Sequence, residues 1–338
     1  MGTVGRLGPE NTLVPSSLEA SIVIPTRNAG PGFELLLEKL TAQQTGFDHE
    51  ILVIDSGSTD GIVELARRYG ASVHRIRRAE FDHGATRNLG VSLTSGEHVA
   101  FIVQDAVPLD ERWLAAMVDN LERDELVAGV YGRQIPRPES SALTHILVNG
   151  WPTADLERRE QYVGDLRDYP KLPPVERRSL AAFDNVSSCV RRSVWEEIPF
   201  EQTIFGEDLR WGKRAVEAGY KIVYEPRSAV FHSHERGGLY DLRRHYVEGQ
   251  VLLDLFGLTP TPNLPLLLLN VLRSSASLSL RLRRDDKSVA RAARLTPLIL
   301  RHAVFSQTGA YLAVKNRRLA RVGPRISGRL DRLLSRGI

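Results

Sequence analysis

Residues 21–61 read SIVIPTRNAGPGFELLLEKLTAQQTGFDHEILVIDSGSTDG. SIVIP is a short β-branched run closed by Pro25, which predicts a buried strand. Leu35, Leu36, Leu37 and Leu40 lie among polar residues over 33–45 and suit a helix that covers a sheet. EILVID at 50–55 is a second buried strand. Strand, helix and strand make a βαβ unit, and that unit decides the class as α/β.

Working outward, SGSTDG at 56–61 offers Thr59 or Asp60 as the cap of a helix through IVELARRY, which stops at Gly70 as helices commonly do. SVHRI at 72–76 is a third strand, Asn88 to Leu93 a short helix, and HVAFIV at 98–103 a fourth strand. The expected architecture is an open, doubly wound mixed sheet with a helical extension at the C-terminus. Ligands of such sheets sit outside the carboxyl ends of the strands. Asp55, the 81–88 loop and Asp105 all fall at those ends, so residues far apart in sequence can converge.

The chain has 338 residues, 42% hydrophobic and 25% charged, enough for one sizeable core and a smaller unit. Cys189 is the single cysteine, which excludes an internal disulfide framework and a cysteine-rich zinc site, and makes the cytoplasm the expected compartment. Residues 1–19 carry Gly2, Gly5, Gly8, Pro9 and Pro15 without a secretory apolar run, and read as a flexible leader. LPLLLLNVL at 264–272 is broken by Pro265 and Asn270 and is shorter than the roughly 18 residues of a membrane span.

Charge is unevenly distributed. From Arg273 onward there are sixteen Lys or Arg against three acids, so this segment carries +13 in a chain whose total is +4. Helical segments with Leu, Ile and Arg, such as 278–300, could lie on an anionic leaflet at the inner face of a membrane. The alternative is a solvated or homo-oligomerising helical appendage, since amphipathic helices commonly pack on protein. A tail without interleaved aromatic residues, beside a carboxylate-rich core, argues against a nucleic-acid partner. No G-x-G-x-x-G follows the first strand, which argues against a dinucleotide-dependent dehydrogenase.

Several side chains have chemistry suited to a site. Asp55 ends a strand, where a carboxylate can accept from a base or ribose or cap the next helix. Arg87 can neutralise a diphosphate or remain a surface arginine. Glu207 and Asp208 begin a helix whose face carries Trp211 and Ala215; they are either dipole-stabilised caps or a general base, Asp208, with Glu207 supporting it. His232 and His234 fall on a predicted strand with period 2, so both face one side, where one can bind a metal and the other be structural.

IVIPTRN (22–28), VIDSGSTDG (53–61), GATRNLG (84–90), VQDAVP (103–108), GEDLRWGKRAVEAGYK (206–221) and FHSH (231–234) together resemble the ordered landmarks of family 2 inverting glycosyltransferases with a GT-A fold. FDHGATRN at 81–88 resembles the rhamnosyltransferase version. The resemblance spans about 20–255 and implies a nucleotide-sugar-binding half at 20–127, an acceptor-binding and catalytic half at 128–257, and a basic helical extension at 258–338. It implies a donor pocket built from Pro25, Thr26, Arg27, Asp55, Ser56, Gly57, His83, Arg87, Asn88, Gln104 and Asp105. It places Asn185, Ser187, Ser188 and Trp211 around the sugar and acceptor. The family usually has Asp-x-Asp where this chain has Val103-Gln104-Asp105, so the first acid is missing and the usual metal ligand, Asp105, remains.

One acid with phosphate oxygens and water can hold Mg²⁺, while a histidine, His232 by alignment with the family, leans toward Mn²⁺. The resemblance implies transfer of L-rhamnose from dTDP-L-rhamnose to a hydroxyl of a glycan or polyprenyl-linked acceptor, with UDP-hexoses and UDP-galactofuranose as competing donors. A sugar-nucleotide sensor without catalysis is the non-enzymatic alternative.

Overall fold

The computed structural model describes residues 18–285 and 289–337, so the leader expected at 1–19 lies almost wholly outside the described residues. The βαβ start is present as β1 (Ala20–Thr26), α1 (Gly32–Thr41) and β2 (His49–Asp55). The apolar stripe of α1 ends at Leu40, and the helix stops at Thr41, four residues before the expected end. α2 (Ile62–Arg68) follows, then β3 (Ser72–Arg75), α3 (His83–Ser92) and β4 (His98–Ile102).

Two start signals differ from expectation. α2 is preceded by Gly61 in the left-handed conformation (φ 82°), not by a Thr59 or Asp60 cap. Those two residues instead lace the second loop to the first: Asp60 accepts from the Gly30 amide, and the Thr59 amide donates to Asn28. α3 begins five residues earlier than its apolar pattern indicates, because the Asp82 carboxylate caps it by accepting from the Gly84 and Ala85 amides.

β5 (Val107–Pro108), α4 (Trp113–Arg123), β6 (Val127–Ile135), α5 (Ala142–Val148), β7 (Arg159–Gln161), α6 (Pro174–Leu180), β8 (Ser187–Arg191), α7 (Arg192–Glu197), α8 (Glu207–Glu217) and β9 (Lys221–Phe231) complete the α/β body. The sheet runs β3-β2-β1-β4-β8-β6-β9-β5, with β7 also on β9. β1, β2, β3 and β4 are parallel; β8 is antiparallel to both β4 and β6. The two halves inferred from sequence therefore share one mixed sheet.

Strand alternation explains its two covered faces. Ile22, Ile24, Val53 and Ala100 point to a layer made with Leu36, Leu37, Trp113 and Met117, whereas Val23, Ile54 and Phe101 meet Phe183, Val190 and Trp211 on the other side.

α9 (Gly238–Phe256), α10 (Leu264–Asp285), α11 (Val289–Val322) and α12 (Pro324–Leu334) form the helical extension. Gly309 lets α11 run directly along α9, since a Cβ there would lie 2.1 Å from the Leu242 carbonyl oxygen. Leu278, Leu282 and Ile299 are buried with Leu143 and Ile146 of α5. Within 278–300 these three side chains turn onto the protein body, while Leu280 and Leu300 are exposed. No helix among the described residues is long and apolar enough to cross a membrane.

Candidate active site

Parallel pairing sets Thr26 opposite Asp55 at the carboxyl ends of β1 and β2. The turns beyond them are tied across: the Ser56 amide donates to the Thr26 carbonyl (2.9 Å), and the Arg27 amide to Gln104 Oε1 (2.6 Å). Above this edge lies a cavity of about 330 Å³. Pro25, Thr26, Arg27, Ser56, His83, Arg87 and Gln104 of the expected donor set line it, joined by Arg78, Phe81 and Val103. Burial lowers the His83 pKa, so the ring that faces the cavity is neutral at pH 7.

Asp55 is fully buried beneath this edge. Its carboxylate accepts from the Gly57 and Ser58 amides and has Arg75 Nε at 3.3 Å, so it shapes the turn that carries Ser56 and Gly57. Asn88 is a correction. Its amide side chain donates to the Phe200 carbonyl and accepts from Trp195 Nε1 and the Phe200 amide, which uses it to pin α3 against the segment before α8.

Arg87 links the halves of the site. Its guanidinium reaches Glu207 at 3.0 Å, donates to the His83 carbonyl, and contacts the Asn185 carbonyl at 3.5 Å, with both charged side chains almost fully buried. Burial alone would raise the Glu207 pKa, but Arg87, His83 and Asn185 together hold it below the usual range. Glu207 is therefore ionised and committed to Arg87.

Asp208 has a different environment on the same helix start. Its carboxylate accepts from the Leu209 amide (2.7 Å) and, more weakly, from the Asn185 amide (3.4 Å). Burial, with Glu207 and Asp184 beside it, pushes its pKa up to about 8. One acid stays charged and its neighbour holds a proton near neutrality, the separation expected of an acid–base site.

Asp105, His232 and His234 come together on the other side. They can each offer a ligand atom with all three within 4.8 Å of one another. Asp105 lies 3.8 Å from His232 Nε2 and 3.4 Å from His234 Nε2, and the two Nε2 atoms are 3.0 Å apart. The histidines lie just beyond β9 rather than on it, because that strand ends at Phe231. They still converge: the His232 amide continues the pairing by donating to the Ile135 carbonyl.

This donor set fits a divalent ion. His232 Nδ1 pairs with Gln134 Oε1 at 2.9 Å, which assigns the proton to Nδ1 and leaves the Nε2 lone pair facing Asp105 and His234. Burial pushes His232 down to about 3 and lowers His234 as well, so both imidazoles are neutral ligands at pH 7. Gln134 also donates to Asp184, a partly buried carboxyl whose pKa desolvation raises.

Gln134 and Asp184 carry no motif in the sequence. Their role emerges only from the pairing of β6 with β9 and the turn before β8. From the metal cluster, hydrogen bonds run through Gln134 to Asp184, and the adjacent Asn185 amide reaches Asp208.

The remaining expected pocket residues need correction. Trp211 is wholly buried between Phe183 and Phe200, with Nε1 donating to the Ile198 carbonyl, so it supports the floor instead of meeting a sugar. Ser187 accepts from Trp113 Nε1, and Ser188 donates to Asn185. Both serines are buried. Asn185, whose side chain donates to Glu207, is the member of that group that joins the charged site.

Residues 21–175 match the family model described as glycosyl transferase family 2. The O-antigen chain rhamnosyltransferase RfbN of Salmonella typhimurium is 31% identical over 237 residues, covering 69% of this chain and 72% of that protein. The chain belongs to glycosyltransferase family 2. A second relative of this family 2 enzyme, the O-antigen chain rhamnosyltransferase WbaN of Salmonella anatum, is 30% identical over 68% of this chain and 70% of its own length. The mannosyltransferase PcManGT of Pyrobaculum calidifontis, solved with GDP-Man and Mn²⁺, is 17% identical, covers 92% of this chain and 78% of its own, and superposes with a TM-score of 0.50. That likeness supports the GT-A architecture.

Proposed function

We propose that this family 2 enzyme transfers L-rhamnose from dTDP-L-rhamnose, with inversion, to a hydroxyl of a glycan or lipid-linked acceptor during polysaccharide synthesis. The observation that carries the reaction is the hydrogen-bonded path that holds a carboxyl of raised pKa, Asp208, in fixed relation to the Asp105, His232 and His234 cluster. The choice of sugar is supported by the two rhamnosyltransferase relatives.

Asp105, His232 and His234 would hold Mn²⁺ or Mg²⁺, which supplies charge neutralisation for the departing diphosphate. The cavity walls at Arg27, Arg78 and Arg87 provide further positive charge for that leaving group. Asp208 takes the proton of the acceptor hydroxyl as its oxygen bonds to C1 of the sugar. The C1–O bond to phosphate breaks with its electron pair leaving on the diphosphate. Glu207 keeps Arg87 aligned and does not exchange protons.

A donor panel tests the sugar: dTDP-L-rhamnose is expected to turn over fastest among dTDP- and UDP-sugars, and preference for a UDP-hexose or UDP-galactofuranose would replace it. Chelation by EDTA is expected to lower turnover at least a hundredfold, with Mn²⁺ restoring it. Asp105→Asn should remove most of the metal response; full activity in chelator would remove the metal from the mechanism. Donor turnover of any kind excludes the sensor reading.

A further inference from the structure

We propose that the outward face of α12 is a docking surface for an anionic lipid leaflet. This deepens the proposed use of a lipid-linked acceptor, but it rests on separate residues. The segment 278–300, the expected membrane contact, buries Leu278, Leu282 and Ile299 against α5. α12 sets its exposed aliphatic side chains beside a row of arginines.

Its inner side is anchored. Ser327 and Leu334 are buried, and the Asp331 carboxylate accepts from Tyr246, Gln250 and Asn316, which locks the helix onto α9 and α11. Its other side is therefore presented in one orientation.

Arg325, Arg329 and Arg332 are exposed there, with Arg336 just past the helix end. None of the four has a carboxylate partner among the described residues. Spacings of three and four residues place them along one side of the helix. Ile326 and Leu333, seven residues apart and hence nearly in line, are 62% and 59% exposed immediately beside that row. Unpaired arginines next to exposed aliphatic side chains on a locked helix match a surface that is anionic and has an apolar layer beneath it. A nucleic acid would satisfy the arginines but leave Ile326 and Leu333 in water. The surface would hold the enzyme where an acceptor with a lipid anchor resides.

The full-length protein is tested by flotation with vesicles of phosphatidylcholine alone or with phosphatidylglycerol added. Binding is expected only with the anionic lipid, weakening as salt rises. Each arginine near such a surface contributes a factor of about five, so Arg325→Gln, Arg329→Gln and Arg332→Gln together should lower partitioning on the order of a hundredfold. Ile326→Ser with Leu333→Ser should lower it by about tenfold or more.

Circular dichroism and donor turnover, both unchanged in these variants, separate loss of docking from loss of fold. Absence of anionic binding by the wild type, binding unaffected by both variants, or retention of RNA in preference to vesicles would overturn the proposal. Failure of every nucleotide sugar with vesicle binding intact would instead overturn the enzymatic reading and leave the surface standing.

Discussion

Asp208→Asn is expected to lower kcat by about a hundredfold to ten-thousandfold, the usual contribution of a positioned general base, while leaving donor and metal affinity within a few-fold of wild type. The amide keeps the size of the carboxyl, and its single oxygen can still accept from the Leu209 amide; it gives up the weaker bond from the Asn185 amide and cannot receive a proton. The wild-type pH profile carries the same signature. A base with a pKa of about 8 in the free enzyme is mostly protonated at pH 7, so kcat/KM should rise with pH and level off above about 8. In the asparagine variant that limb should disappear. A carboxyl raised in the folded state makes stability fall as pH climbs from its unfolded value, about 4, toward 8. Asp208→Asn should therefore melt no lower than wild type at pH 8. Normal turnover by this variant would assign the base elsewhere.

The second large effect concerns the Arg87–Glu207 pair. At 3.0 Å, with side chains only 4% and 7% exposed, it is a buried ion pair whose partners depend on each other. Glu207→Gln leaves an almost enclosed guanidinium without its counter-charge, and the expected cost is about 3–5 kcal/mol of folding stability. Arg87→Met should cost a similar amount by leaving Glu207 charged and unpaired. The double variant Arg87→Met with Glu207→Gln should recover much of the loss, because removing both charges also removes their desolvation. Urea denaturation checks all three. Single losses under about 1 kcal/mol, additive in the double variant, would show that the pair is not coupled.

Activity should fall in each of these variants even where the fold survives. Arg87 lines the cavity, and Glu207 fixes both Arg87 and Asn185.

Much of the fold was readable because its signals are local. SIVIP, EILVID and HVAFIV are short apolar runs with polar ends, and each became a strand of the parallel half. The candidate site was legible where reactive side chains sit at element ends, as at Gln104 and Asp105 after β4 and the Glu207–Asp208 pair at the start of α8. It was misread where orientation decides the role. Asn88 follows Arg87 directly, yet one step along a helix turns a side chain by about 100°, and this one points to Phe200 and Trp195 instead of the cavity. Trp211 lies in the same motif as Asp208 but turns into the core between two phenylalanines.

Other features depend on contacts that no linear pattern encodes. Gln134 and Asp184 are fifty residues apart and meet only because β8 lies beside β6. The basic tail was legible as helical and charged, but not as three helices with different surfaces. Its central segment packs on α5, and its last helix turns arginines outward.

The most direct test of the central claim is the anomeric configuration of the first product formed from dTDP-L-rhamnose and Mn²⁺, read by NMR on a glycan acceptor. A single nucleophile activated by Asp208 predicts one glycosidic bond whose configuration is inverted relative to the donor. A product with retained configuration, or none from any nucleotide sugar supplied with metal, would contradict the account.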